Sequence, residues 1–183
     1  DQPYLYEKLT GREFLRFIAE VYDMDRDEMH EKIEQLSALF ELGEFLDQLG
    51  ETYSHGMKQR VVISGALLHE PRVIVIDEPM VGLDPKSARI VKDVLRERAA
   101  GGTTIFMSTH TLGVAEEVAD RIGIIRRGEL IVDGTVEQIM AASQSGGQLE
   151  DAFLKLTEEL IADRYQEDQS ETPGSAPPEE EAG

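Results

Sequence analysis

The sequence predicts an α/β protein: a helical first part, a parallel-sheet core and a terminal β-hairpin. Three observations carry this expectation. Residues 10–69 place apolar side chains at helical spacing. Residues 71–125 alternate short apolar, β-branched runs with helical patterns, and strand–helix–strand with short connections implies a right-handed crossover and a parallel sheet. Arg126-Arg127-Gly128 separates two further apolar runs, as a hairpin turn does.

Taken in order, Thr10 with Glu13 forms a capping box ahead of Phe14, Leu15, Phe17, Ile18 and Val21. Asp25 with Glu28 opens a second helix carrying Met29, Ile33, Leu36, Leu39 and Phe40, with Gly43 as its stop. A shorter helical stretch is expected around Phe45 to Leu49. Ser54 then precedes a long helix reaching His69, ended by Pro71. Val73 to Ile76 is a continuous β-branched run, as in a strand buried on both faces. Asp84-Pro85 makes an N-cap and first-turn pair for the next helix, which Gly101-Gly102 ends. Thr103 to Met107 is a second short strand, and a helix through Val114 to Ala119 follows. Ile122 to Ile125 and Glu129 to Val132 are the hairpin strands. Helices near Thr135–Ala142 and Leu149–Ile161 close the folded part, and the Glu/Pro/Ser/Gly-rich remainder from Gln166 is expected to be disordered.

The 183 residues, 40% of them hydrophobic, suffice for one domain with a core. Cysteine is absent, which excludes a disulfide scaffold and cysteine metal sites and fits a cytosolic setting. Net charge is −19, and from Asp163 onward seven acids face one base. Such a surface repels phosphate backbones, so no nucleic-acid partner is expected. No apolar run nears the roughly 20 residues that span a bilayer, and no signal peptide is visible. The chain opens on Asp1 with a stretch that reads like the middle of a domain.

Four segments carry chemistry. In Val73 to Pro79, Asp77 and Glu78 follow a strand at its C-terminal end, the edge where open α/β sheets bind ligands. One acid suits Mg²⁺ and the next suits an attacking water; a strand ending in an acidic turn explains the residues equally well. Ser54-His55-Gly56-Met57 starts a helix whose free N–H groups favour an anion, and Gly56 permits close approach; alone, it also reads as a capped amphipathic helix. Ser108-Thr109-His110 ends a strand, where a histidine can meet a phosphate or serve structure only. Gly82-Leu83-Asp84-Pro85 reads locally as a helix start.

Together, in this order and spacing, the segments resemble the ATP-binding-cassette (ABC) ATPases, which have a P-loop NTPase fold. Tyr53 to Arg60 is similar to the ABC signature, Val73 to Pro79 to the Walker B strand with its catalytic glutamate, Val81 to Pro85 to the D-loop and Ser108 to His110 to the H-loop. The resemblance covers about residues 1–162. It implies a helical signature subdomain over 1–70, a RecA-like core remainder over 71–143, a C-terminal helix within 144–165 and an acidic tail over 166–183. It further implies a head-to-tail dimer of two such domains around ATP and Mg²⁺. In that dimer Ser54 and Gly56 bind the γ-phosphate of the partner's nucleotide, Asp77 supports Mg²⁺, Glu78 polarises the water, His110 contacts the γ-phosphate and Asp84 links the two sites. The activity implied is ATP hydrolysis driving transport through an integral membrane permease at the cytoplasmic face of the cell membrane.

The chain also departs from the family. The P-loop pattern G-x-x-x-x-G-K-[ST] occurs nowhere; the family places it upstream of everything present, so a missing N-terminal segment and an inactive isolated chain are expected. The consensus signature L-S-G-G-Q stands here as Tyr53, Ser54, His55, Gly56, Met57, a variant resembling ATPases of ABC-2-type exporters, with His55 expected as an exposed helix-start residue. The Q-loop position falls on Asp1 or Gln2. Two other readings remain: a DNA- or ribosome-associated ABC ATPase, and a non-catalytic binding module.

Overall fold

The computed structural model describes residues 4–143 and 149–156. The chain forms two compact units, Asp1–Thr111 and Leu112–Gly183. The first begins with α1 (Gly11–Val21), α2 (Arg26–Leu39), a 3₁₀ turn at Gly50–Thr52 and α3 (His55–Leu67). It continues through β1 (Val73–Asp77), α4 (Pro85–Ala100) and β2 (Thr104–Ser108). The second contains α5 (Leu112–Val118), β3 (Ile122–Arg126), β4 (Glu129–Gly134) and α6 (Val136–Ala142), and residues 149–156 are helical.

The helices start where side chains satisfy their first amides. Thr10 Oγ1 accepts from the Glu13 amide at 3.2 Å, while Glu13 accepts from the Thr10 amide at 2.8 Å. Asp25 accepts from the Asp27 and Glu28 amides, and Asp84 from those of Lys86 and Ser87. Thr135 and Gln138 repeat the capping box at α6. The stop of α2 differs from expectation. The helix ends at Leu39, and Glu41, not Gly43, takes the left-handed conformation at φ 52°. The Phe45 to Leu49 region is a run of turns rather than a helix. There Leu46 packs fully buried, and the carbonyls of Phe45 and Leu46 bond Tyr53 and Arg12.

The core of the first unit joins Phe14, Leu15 and Ala19 of α1 to Ile33 and Leu36 of α2, Val61 and Leu67 of α3, Ile74 of β1, and Val91, Val94 and Leu95 of α4. Strands β1 and β2 pair in parallel, Val73 with Thr104 through Asp77 with Ser108. The expected burial of β1 on both faces is not found among the described residues: Ile74 is 6% exposed, but Val73 is 60% and Val75 76% exposed. Phe106, opposite Val75, lies on that same open face.

In the second unit, β3 and β4 are antiparallel with an irregularity between Ile124 and Ile125. Their turn places Arg127 at φ 50° and Gly128 at φ 83°, both left-handed, as a two-residue type I′ hairpin requires. Ile122, Ile124, Ala115, Ile139, Leu149 and Ala152 form the core of this unit. Asp1, Gln2, residues 157–161 of the expected last helix and the 166–183 tail lie outside the described residues.

Candidate functional site

The parallel register of β1 and β2 puts Asp77 opposite Ser108 and carries the chain on to Glu78 beside Thr109 and His110. The Ser108 hydroxyl donates to Asp77 Oδ1. The Glu78 amide extends the ladder by donating to the Ser108 carbonyl at 3.0 Å. Glu78 Oε1 accepts from the His110 backbone amide at 2.6 Å and lies 2.6 Å from His110 Nδ1, while Thr109 Oγ1 donates to Oε2 at 3.1 Å. A carboxylate cannot donate, so Nδ1 carries the proton in that contact. The Glu78 side chain is 21% accessible and that of His110 79%, so the ring reaches outward from a mostly covered carboxylate.

Burial raises the Glu78 carboxyl and is the largest single influence on it. The hydrogen bonds from the His110 side chain and backbone and from Thr109 together outweigh burial and hold it below the ordinary carboxylate value. Glu78 is therefore an anion at neutral pH, with three donors on an acceptor that has about four lone-pair sites. Its backbone is left-handed, at φ 44°. Asp84 is exposed, and the Ser87 hydroxyl, followed by the Ser87 and Lys86 amides, lowers its pKa.

The second group sits at the start of α3. Ser54 is the N-cap and accepts from the Met57 amide at 3.2 Å, while Met57 Sδ accepts from the Ser54 amide at 3.4 Å. A hydroxyl that accepts from the helix keeps its own proton to donate outward. Gly56 is half-buried, and a Cβ there would meet Leu83 Cδ2 at 3.5 Å and the Gly82 carbonyl at 3.8 Å, both ordinary contacts. The fold itself thus leaves room for a Cβ at 56. Tyr53 is buried: its hydroxyl accepts from the Gly11 amide at 3.0 Å and lies 2.8 Å from the Phe45 carbonyl, its nearest acceptor. His55, expected to be an exposed helix-start residue, is instead half-buried with Nε2 3.1 Å from the Val81 carbonyl.

The structure thus brings Asp77, Glu78 and His110 to one sheet edge, with Ser54, Gly56 and Asp84 on neighbouring helix starts of the same unit. Sequence reasoning assigned no role to Ser108 and Thr109 as donors to the two acids. Equal-length strands in parallel register were the available signal. Among the described residues no three His, Asp or Glu side chains converge as a protein-only metal cage, and no helix is long and apolar enough to cross a membrane.

The family described as ABC transporter matches residues 2–81, which include the α3 start and both acids. The SkfA peptide export ATP-binding protein SkfE of Bacillus subtilis is 38% identical over 138 residues, covering 75% of this chain and 58% of that protein. A solved ATP-binding subunit of an ABC transporter superposes with TM-score 0.79 at 35% identity, over 86% of this chain and 66% of that one. The ATP-binding cassette MJ0796, solved as a dimer in a post-hydrolysis state with ADP and Pi, superposes with TM-score 0.65 at 26% identity, over 74% of this chain and 60% of that one. The chain spans 44–66% of the length of the first curated relatives it matches. Its helical unit, parallel pair and hairpin are part of the ABC-ATPase fold. With the motif order, the acids at the β1 end and these likenesses in agreement, the chain belongs to the ABC transporter family of ATP-binding proteins.

Proposed function

We propose that this chain is part of an ATP-hydrolysing subunit that powers export through a separate membrane permease, working at the cytoplasmic membrane face as a head-to-tail dimer. The observation that carries the reading is Glu78, ionised and oriented by Thr109 and His110 at the end of a parallel strand, one residue after an acid braced by Ser108. The dimeric state of MJ0796 supports the assembly, and the export role printed for SkfE, with the Tyr-Ser-His-Gly-Met variant, favours the exporter subtype.

The residues present fit Mg²⁺ and a nucleotide. The α3 start offers an outward serine hydroxyl, first-turn amides and a glycine that the fold does not itself require. A single carboxylate, Asp77, suits Mg²⁺, which is commonly held by one or two carboxylates together with substrate phosphates and water. ATP would be the substrate that supplies the phosphoryl group, and Mg²⁺ held at Asp77 would neutralise its charge when bound. Glu78 accepts hydrogen bonding from the attacking water on its remaining lone pair and takes the proton. His110 directs its outer ring nitrogen toward the phosphate. Ser54 and Gly56 serve the nucleotide held by the partner, and Asp84 links the two sites. Rate then comes from positioning and charge neutralisation.

The 183 residues contain no G-x-x-x-x-G-K-[ST] sequence, so by themselves they bind Mg-ATP weakly and do not turn over. The deciding assay is phosphate release by this chain alone and by a subunit that also carries a P-loop segment, with Glu78→Gln as control. The expected result is hydrolysis only in the longer protein and its loss in Glu78→Gln. Turnover by the short chain, or hydrolysis indifferent to Glu78, overturns the reading.

A further inference from the structure

His55 stands where the family consensus has glycine, and the structure gives it a partner. The ring lies against the Val81-Gly82 turn, with Nε2 3.1 Å from the Val81 carbonyl. A carbonyl only accepts, so Nε2 carries the proton. Gly82 has φ 72°, and a Cβ on it would fall 2.4 Å from His55 Cδ2 and 2.9 Å from Nε2. The imidazole therefore occupies space that only a glycine at 82 leaves open.

A second tether runs parallel to this one. Buried Gln59, one turn further along α3, donates from Nε2 to the Pro79 carbonyl at 3.4 Å. The loop between them is itself folded, the Val81 amide donating to the Glu78 carbonyl at 3.2 Å and the Leu83 amide to the Met80 carbonyl at 3.3 Å. Beyond it Asp84 caps α4. The first two turns of α3 thus hold the middle of the segment that runs from Glu78 to Asp84, at Pro79 and Val81.

We propose that His55 is a positioning residue: by donating to the Val81 carbonyl across Gly82, it locks the Ser54–Gly56 helix start to the Glu78–Asp84 loop. These two surfaces then move as one piece when the subunit meets its partner. The geometric half of this inference stands on its own, and the catalytic half rests on the ATPase reading above. A consensus glycine at 55 has no side chain to make the bond, so in this chain the imidazole supplies a constraint that the consensus sequence lacks.

Two measurements test it. In the 183-residue chain, long-range proton–nitrogen spectra are expected to show Nε2 of His55 protonated, and His55→Ala is expected to move the amide signals of residues 80–84. A ring with bare Nε2, or unmoved signals, overturns the tether. In a subunit that also carries a P-loop segment, His55→Ala is expected to lower kcat about tenfold with the KM for ATP unchanged, the effect of one lost orienting hydrogen bond. His55→Gln, whose amide nitrogen reaches about as far as Nε2, recovers most of the rate. Wild-type kcat in His55→Ala, alongside an inert Glu78→Gln, overturns the positioning role. If Glu78→Gln hydrolyses ATP like the wild type, the ATPase reading has failed, and the spectra judge the tether independently.

Discussion

Glu78 illustrates how much one residue depends on its surroundings. A non-glycine residue at φ 44° is strained, at a cost of order 1–3 kcal/mol, and it persists here because five hydrogen bonds, one from its amide, one to its carbonyl and three to its carboxylate, determine its place. Because its carboxyl is held below the ordinary value, its ionised form stabilises the fold above the pKa of the unfolded chain, and that contribution is lost as pH falls through the folded pKa. Melting temperatures of wild type and Glu78→Gln, followed from neutral pH into the acid range, should therefore converge as pH drops; a constant gap would show that the carboxylate contributes no linkage. Tyr53 is the second residue-scale case. Tyr53→Phe leaves the Gly11 amide and the Phe45 carbonyl without their buried partner and should cost about 1–3 kcal/mol in denaturant unfolding. That Asp77 and Glu78 close a strand and that Ser54 and Asp84 cap helices was legible from residue type and order. The bracing by Ser108 and Thr109 was not, because a donor across two strands is defined only by their register.

At the scale of elements, helix starts were easier to read than helix ends. Thr10, Asp25, Ser54, Asp84 and Thr135 all cap the helices that follow them, since capping is local chemistry within four residues. Helices α1, α2 and α4 end alike, with a left-handed residue after the cap and a bond from the next amide back into the last turn: Met24 to Ala19, Leu42 to Ser37 and Thr103 to Arg98. Only α4 uses glycine there, whereas α1 uses Asp23 and α2 uses Glu41. Hence Gly43 misled: the end of α2 is set by burial of Phe40 and Leu42 on either side of the turn. Glu41→Gly should stabilise the chain by about 0.5–1 kcal/mol in thermal or denaturant unfolding, because it removes left-handed strain. The exposed ion pair with Lys86 that it loses is worth little.

Across the whole molecule, charge and open surface decide behaviour. A net charge of −19 disfavours any phosphate backbone. The purified chain should pass through a double-stranded DNA column at low salt without retention. Salt-sensitive retention would instead favour the nucleic-acid-associated branch of the family. The P-loop assay belongs to this scale as well, since the proposed turnover draws on residues from more than one segment and more than one copy.

The sequence by itself determined the α/β class, the helix starts, the parallel pair, the hairpin and the family, because each rests on local periodicity, capping or a motif of a few residues in order. Only the tertiary structure decided which strand face is covered, where α2 stops, and that His55 and Tyr53 are fastened parts of the α3 start. Those properties depend on residues 26 and 42 positions apart in the chain, Val81 and Gly11. A hydrogen bond or a covered face at that range exists only once packing has brought its two sides together.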